Sequence, residues 1–265
     1  MLIWFAFCPI RSLHVSLRGS LYSRLLNIPV SYLCHLHISR NKSTASPVHS
    51  RSAQQSLTMS YSLWLVPHEG NPFTRSFQEL ISDTIPRNFD EKNTHVISPH
   101  VPITSDVDIG SKSPQEWLDS LSFPDFKKEH NEVVVTLDAV EADDAPERKM
   151  NISIKDDANL QQFAAVCRKE GVAGGDAEQW AKKDFRPCFG LLHADVPTDE
   201  VRRKVPLIEM KIGFSIGDIF ACCGGTLCMG GFLVLVDTSK PVDEWKQVAK
   251  VETPWVMWRA THNLI

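Results

Sequence analysis

Two short stretches of this chain hold residues able to do chemistry: "SPHVPITSD" at 98–106 and "RPCFGLLHAD" at 186–195. His100 is suited to carry protons, because an imidazole titrates near neutral pH. Side chains alternate faces along an extended chain, so Pro102 and Thr104 follow His100 on one side. The Thr104 hydroxyl then lies roughly 6–7 Å beyond position 102. In the second stretch Cys188, Gly190 and Leu192 share one face, and Phe189, Leu191 and His193 share the other. A regular strand therefore turns His193 away from Cys188, and only a bulge brings it round. A thiol with the ordinary pKa of about 8.5 stays mostly protonated at neutral pH and donates weakly. A buried cysteine more commonly packs than reacts.

Other segments are less suited to chemistry. The chain has seven cysteines in no regular framework, which fits reduced thiols better than a disulfide-stapled domain. "CCGGTLC" at 222–228 lacks zinc-knuckle spacing and is followed only by His262, so it reads as a glycine turn and no metal is expected. "GVAGG" at 171–175 follows a helix and lacks the lysine of a phosphate loop. "VRRKVP" reads as a solvated basic patch.

Charge divides the chain. Residues 1–58 carry six Arg or Lys and no acid, leaving 22 basic and 32 acidic residues beyond, a net charge of −10. An acidic body argues against broad nucleic-acid binding through phosphates. Segment 1–58 has Leu13, Leu17 and Leu21 at helical spacing between Arg11, Arg18 and Arg24, the composition of a mitochondrial presequence. "MSYSLWLVP" from Met59 equally resembles a natural protein start. The expectation is a disordered extension over 1–58 and a folded domain over 59–265. Pro9, Arg11, Arg24 and Pro29 interrupt the apolar runs, so no membrane span is expected.

The elements that must position these residues alternate. "SLWLV" (62–66) predicts a buried strand and "TRSFQELISDTI" a helix. "SPQEWLDSLSF" predicts a short helix with Ser113 as cap, Pro114 at its first position and Glu116 closing a capping box. "EVVVTLDAV" and "KMNISIKD" predict strands, and "ANLQQFAAVCRKEG" and "GDAEQWAKKDF" helices. "PCFGLLHAD", "VPLIEMKIGFSI" and "GFLVLVD" all predict strands. The order is α+β with antiparallel pairing. Each half has a helix followed by a Pro-led strand, which leads to an expectation of two pseudo-symmetric lobes. Their antiparallel sheets would line a central cleft, with helices outside.

With both Pro-led strands in place, residues 60–260 resemble the fungal 2',3'-cyclic-nucleotide 3'-phosphodiesterases of the two-histidine phosphoesterase superfamily. The likeness rests on "SLWLVP", "PHVPITSD", "FRPCFGLLHADVP" and "GFLVLVDTSKPVDEW" in family order. It implies hydrolysis of a cyclic phosphate, on a nucleotide or on ADP-ribose, to a 2'-phosphate, without metal or other cofactor. It also implies a His-x-Thr/Ser pair in each lobe, one imidazole as base and one as acid, with hydroxyls on the phosphate. His100 matches the first histidine and is the expected catalytic residue. Three positions depart from the pattern: Pro102 and Gly190 stand where hydroxyls belong, and Cys188 stands at the second histidine. Thr104 is left as a weak substrate contact. One lost acid or base costs about 10²–10⁴ in rate, and a lost donor about 10²–10³. The expectation is an impaired hydrolase, or else an inactive relative that binds phosphate, nucleotide or a partner. It would be a monomer, cytoplasmic, or mitochondrial if 1–58 is a presequence.

Overall fold

The computed structural model of the chain describes residues 60–89, 94–126, 128 and 131–265. They belong to one compact unit, Gln54–Ile265. The extension expected over 1–58 lies outside the described residues.

The fold is α+β, as expected. Among the described residues ten strands run in chain order: β1 (Tyr61–Pro67), β2 (Thr94–His95), β3 (Val101–Val107), β4 (Val133–Ala142), β5 (Met150–Ile154), β6 (Cys188–Ala194), β7 (Thr226–Met229), β8 (Gly231–Asp237), β9 (Lys246–Glu252) and β10 (Val256–Ala260). Five α-helices accompany them among the same described residues: α1 (Pro72–Glu79), α2 (Pro114–Asp119), α3 (Ala158–Gly171), α4 (Ala177–Lys183) and α5 (Thr198–Cys222). One open sheet has the order β3-β1-β8-β9 and the other β2-β6-β5-β4-β10-β7. All pairs are antiparallel except β4 with β10, which is parallel. No helix among the described residues is long and apolar enough to cross a membrane.

Local signals decide most of these elements. Ser113 and Glu116 close a reciprocal capping box at α2, with Pro114 at the first helical position. The Asp157 carboxylate accepts from the Leu160 amide at 2.8 Å and starts α3. In β1, Tyr61, Leu63 and Leu65 enter the main core, while Trp64 faces the other side with Val234 and Val236 of β8.

The segment 205–216 is a correction. It lies inside the 25-residue helix α5, not in a strand. Its apolar residues fit both periods, and burial of Val201, Ile208, Ile212 and Ile216 at intervals of seven and four selects the helix. Pro206 sits inside this helix, where proline counts against a helical reading of the sequence. Strands β7 and β9 carry too few alternating apolar residues to stand out in the sequence.

β8 begins against β1 with no room to spare. A Cβ on Gly231 would lie 2.3 Å from the Val66 carbonyl oxygen. Gly231→Ala should therefore push β1 and β8 apart and cost about 3 kcal/mol, the upper range for overpacking. A urea unfolding curve with its midpoint unchanged would contradict this.

Candidate active site

His100 directly precedes β3, an edge strand. That position tolerates Pro102, whose ring has no ladder N–H to give. Pro102 pairs with Trp64 of β1, and the register then slips so that Leu63 pairs with Thr104. The slip separates Thr104 from His100. Leu63 is a core-facing residue, and Thr104 is buried beside it, its hydroxyl accepting from the Arg168 guanidinium of α3 at 3.3 Å. The same-face placement expected for Thr104 is thus corrected by a bulge at Ile103.

A second bulge acts in β6, in the opposite sense for function. Phe189 pairs with Ile152, Gly190 with Asn151, and Leu192 with Met150, so Leu191 is the extra residue. Phe189 is pinned in the core by Phe77 and Phe73 of α1, with ring centroids 4.9 and 6.0 Å away. Leu192 is buried on that same side. His193 consequently returns to the face of Gly190, not the opposite face that a regular strand predicts. A Cβ built on Gly190 would stand 3.5 Å from His100 Cε1 and 3.8 Å from His193 Nε2. The two imidazole centroids are 6.1 Å apart. The Gly190 amide also donates to the His100 carbonyl at 3.3 Å, which ties β6 to the start of β3 and so joins the two sheets here.

Aromatic rings fix the pair. Trp64 stacks on His100 with centroids 4.0 Å apart and 23° between planes. Trp245 lies edge-on to both Trp64 and His193, at 5.8 and 6.2 Å. Next to them His95, the strand partner of His193, holds the Asp243 carboxylate at 2.5 Å through Nδ1.

Hydrogen bonding sets the His100 tautomer. Its Nδ1 lies 2.7 Å from the Ser98 carbonyl oxygen, which can only accept. Nδ1 therefore carries the proton, and in the neutral ring Nε2 presents a bare lone pair. His100 is only 2% exposed. Burial pulls its pKa down to about 4, against a smaller upward effect of the Ser98 carbonyl. Burial, then the neighbouring His100 and His95, bring His193 down to about 3. Both rings are neutral at pH 7.

A stability consequence follows from these depressed values. The unfolded chain takes up protons on these histidines near pH 6.5, whereas the folded chain resists until about pH 4, so stability present above pH 6.5 is lost on acidification. At about 1.4 kcal/mol per pKa unit, His100 alone accounts for about 3 kcal/mol at most. Urea curves for the parent should weaken between about pH 6.5 and 4, and His100→Gln should flatten that slope. An equal slope in both would contradict the burial account.

Cys188 opens β6, and the unbroken pairing of 188–190 with 153–151 keeps it on the Gly190 face. It lies beside a cavity of about 280 Å³ lined by Glu141, Asp143, Arg148, Asn151, Ser153 and Arg186 among others, and neither His100 nor His193 lines it. Burial raises the thiol pKa to about 11, opposed by Arg148. Cys188 is thus a protonated thiol at neutral pH. Among the described residues no cluster of ligand side chains could hold a metal ion.

The family model described as "Cyclic phosphodiesterase-like protein" matches residues 59–253. The chain belongs to this cyclic phosphodiesterase-like family. It is 27% identical over 209 residues to a 2',3'-cyclic-nucleotide 3'-phosphodiesterase of Neurospora crassa, covering 71% of this chain and 97% of the relative. A protein of the same name from Phaeosphaeria nodorum is 29% identical over 198 residues, covering 72% and 97%. The family resemblance legible in "PHVPITSD" and "FRPCFGLLHADVP" is therefore borne out.

The sequence alone misses Trp64, Trp245 and Ser98 as the surroundings of His100. It also misplaces His193. One signal was available: "FGLLH" breaks its own alternation, because two adjacent leucines cannot both face the core in a regular strand.

Proposed function

We propose that this cyclic phosphodiesterase-like protein opens 2',3'-cyclic phosphates, on a nucleotide or on ADP-ribose, to 2'-phosphates, with His100 and His193 as its proton carriers. The observation that supports this most is the β6 bulge, which sets His193 opposite His100 across Gly190. His100 acts as base. Its bare Nε2 takes a proton from water as the water oxygen bonds to phosphorus. The P–O3' bond breaks, and His193, protonated beforehand, gives its proton to O3'. Water and cyclic diester become a 2'-phosphomonoester and a free 3'-hydroxyl. The acid form of His193 forms when the anionic diester enters, because a nearby negative charge favours the imidazolium. Trp64 stacked on His100 supports a positive ring through its π face.

Pro102 and Gly190 supply no hydroxyl to the phosphate, and Thr104 is committed to Arg168. In this reading the protein is an impaired hydrolase with both proton carriers kept, and Cys188 has no part in the chemistry. The missing hydroxyls also favour a second reading, binding without turnover. Incubating the full chain with 2',3'-cyclic AMP and following phosphorus NMR separates the two. The proposal expects 2'-AMP as the only monoester. No product, with 2'-AMP still bound in a calorimeter, would establish the binding-only reading. A 3'-monoester would contradict the assignment of O3' as leaving group.

A further inference from the structure

α5 is apolar on two faces. One face, through Val201, Ile208, Ile212 and Ile216, is buried. The other exposes Leu207, Met210 and Phe214 at 39, 53 and 84%. These three lie three and four residues apart, which makes one continuous stripe. Exposed Arg203 and Asp218 extend the same stripe at four-residue steps beyond its two ends. Neither is in an ion pair among the described residues. Gly217, also on this side, keeps the stripe low, and Ile265 at the chain end packs beside it. A stripe of this kind on a surface helix marks a contact surface.

We infer that the occupant is α5 of a second copy of this chain, packed antiparallel about a two-fold axis. The charges select this partner. An axis between Met210 and Lys211 sets Arg203 of each copy opposite Asp218 of the other. It sets Leu207 opposite Phe214 in both directions and brings the two Met210 side chains together at the centre. A patch that complements itself in both shape and charge is what a two-fold interface requires. Arg203 and Asp218 stand about 22 Å apart along the helix, so the two ion pairs close the ends of the apolar seam. One helix pair is a small interface, so association is reversible and concentration dependent. This replaces the monomer expected from sequence, where 205–216 reads as a strand and shows no stripe. The inference does not depend on whether the protein turns over a cyclic phosphate.

Sedimentation equilibrium of the full chain over about 1–200 µM tests it. The parent should shift from chain mass toward twice that mass. Phe214→Glu, Arg203→Asp and Asp218→Arg should each weaken association by about tenfold or more. The double swap Arg203→Asp with Asp218→Arg should restore it to within about threefold of the parent. Circular dichroism melts confirm that each variant is folded. A parent that stays at chain mass throughout overturns the inference. So does a double swap no tighter than its single variants, which would remove the reciprocal pairing. A parent that stays at chain mass yet binds phosphatidylserine vesicles through Phe214 would make the stripe a membrane contact and overturn it as well.

Discussion

Replacing His193 by Gln should lower kcat for 2',3'-cyclic AMP by about 10²–10⁴, as much as replacing His100. Glutamine keeps size and hydrogen bonding but cannot carry the proton. Without the β6 bulge this expectation would be unreasonable, because an unbroken strand turns His193 into the core. The bulge at Leu191 is held on both sides. Phe189 is packed by Phe73 and Phe77, and Leu192 is buried beyond the extra residue. The His193 direction is therefore set by core packing and not by its own preference. Cys188→Ala, by contrast, should leave kcat within about threefold, as for a thiol that never ionises at neutral pH. Steady-state rates of the three variants, each with its urea midpoint, check the prediction. A Cys188→Ala loss comparable to that of His193→Gln would move the chemistry to the other end of β6.

Gly190→Ser should raise kcat, by about 10²–10³, the worth of one positioned donor to a developing charge. The space allows it. The new Cβ would be in ordinary contact with both imidazoles, at 3.5 and 3.8 Å, and Gly190 does not use the left-handed backbone region that would strain a serine. The hydroxyl would be added on the face the two rings share. The serine should also fold as well as glycine, since a side chain in a strand gains packing that glycine lacks. Initial rates with saturating 2',3'-cyclic AMP measure the gain. A folded Gly190→Ser protein slower than the parent would show that the phosphate does not rest between the rings.

The sequence shows the elements with strong local signals and hides those that depend on neighbours. The α2 capping box, the end of α3 at Gly171 and the buried run of β1 are all legible from residue types alone. α5 is not, because Ile208, Met210, Ile212, Phe214 and Ile216 fit a two-residue period as well as a helical one, and Pro206 counts against a helix interior. His100 is legible from its flanks. Thr104 and His193 are not, since each lies just past a bulge that reverses the faces, and a bulge is settled by what the partner strand and the core require. The adjacent pairs Ile103–Thr104 and Leu191–Leu192, buried together in both strands, are the trace those bulges leave.

The measurement that tests the central claim most directly is a double-mutant cycle on His100→Gln and His193→Gln, with 2',3'-cyclic AMP hydrolysis as readout. If the two imidazoles work on one phosphate as acid and base, they fail as a unit, and the double variant loses little more than either single one. Losses that simply multiply would contradict a shared reaction centre, and a silent His193→Gln would return the second role to another residue.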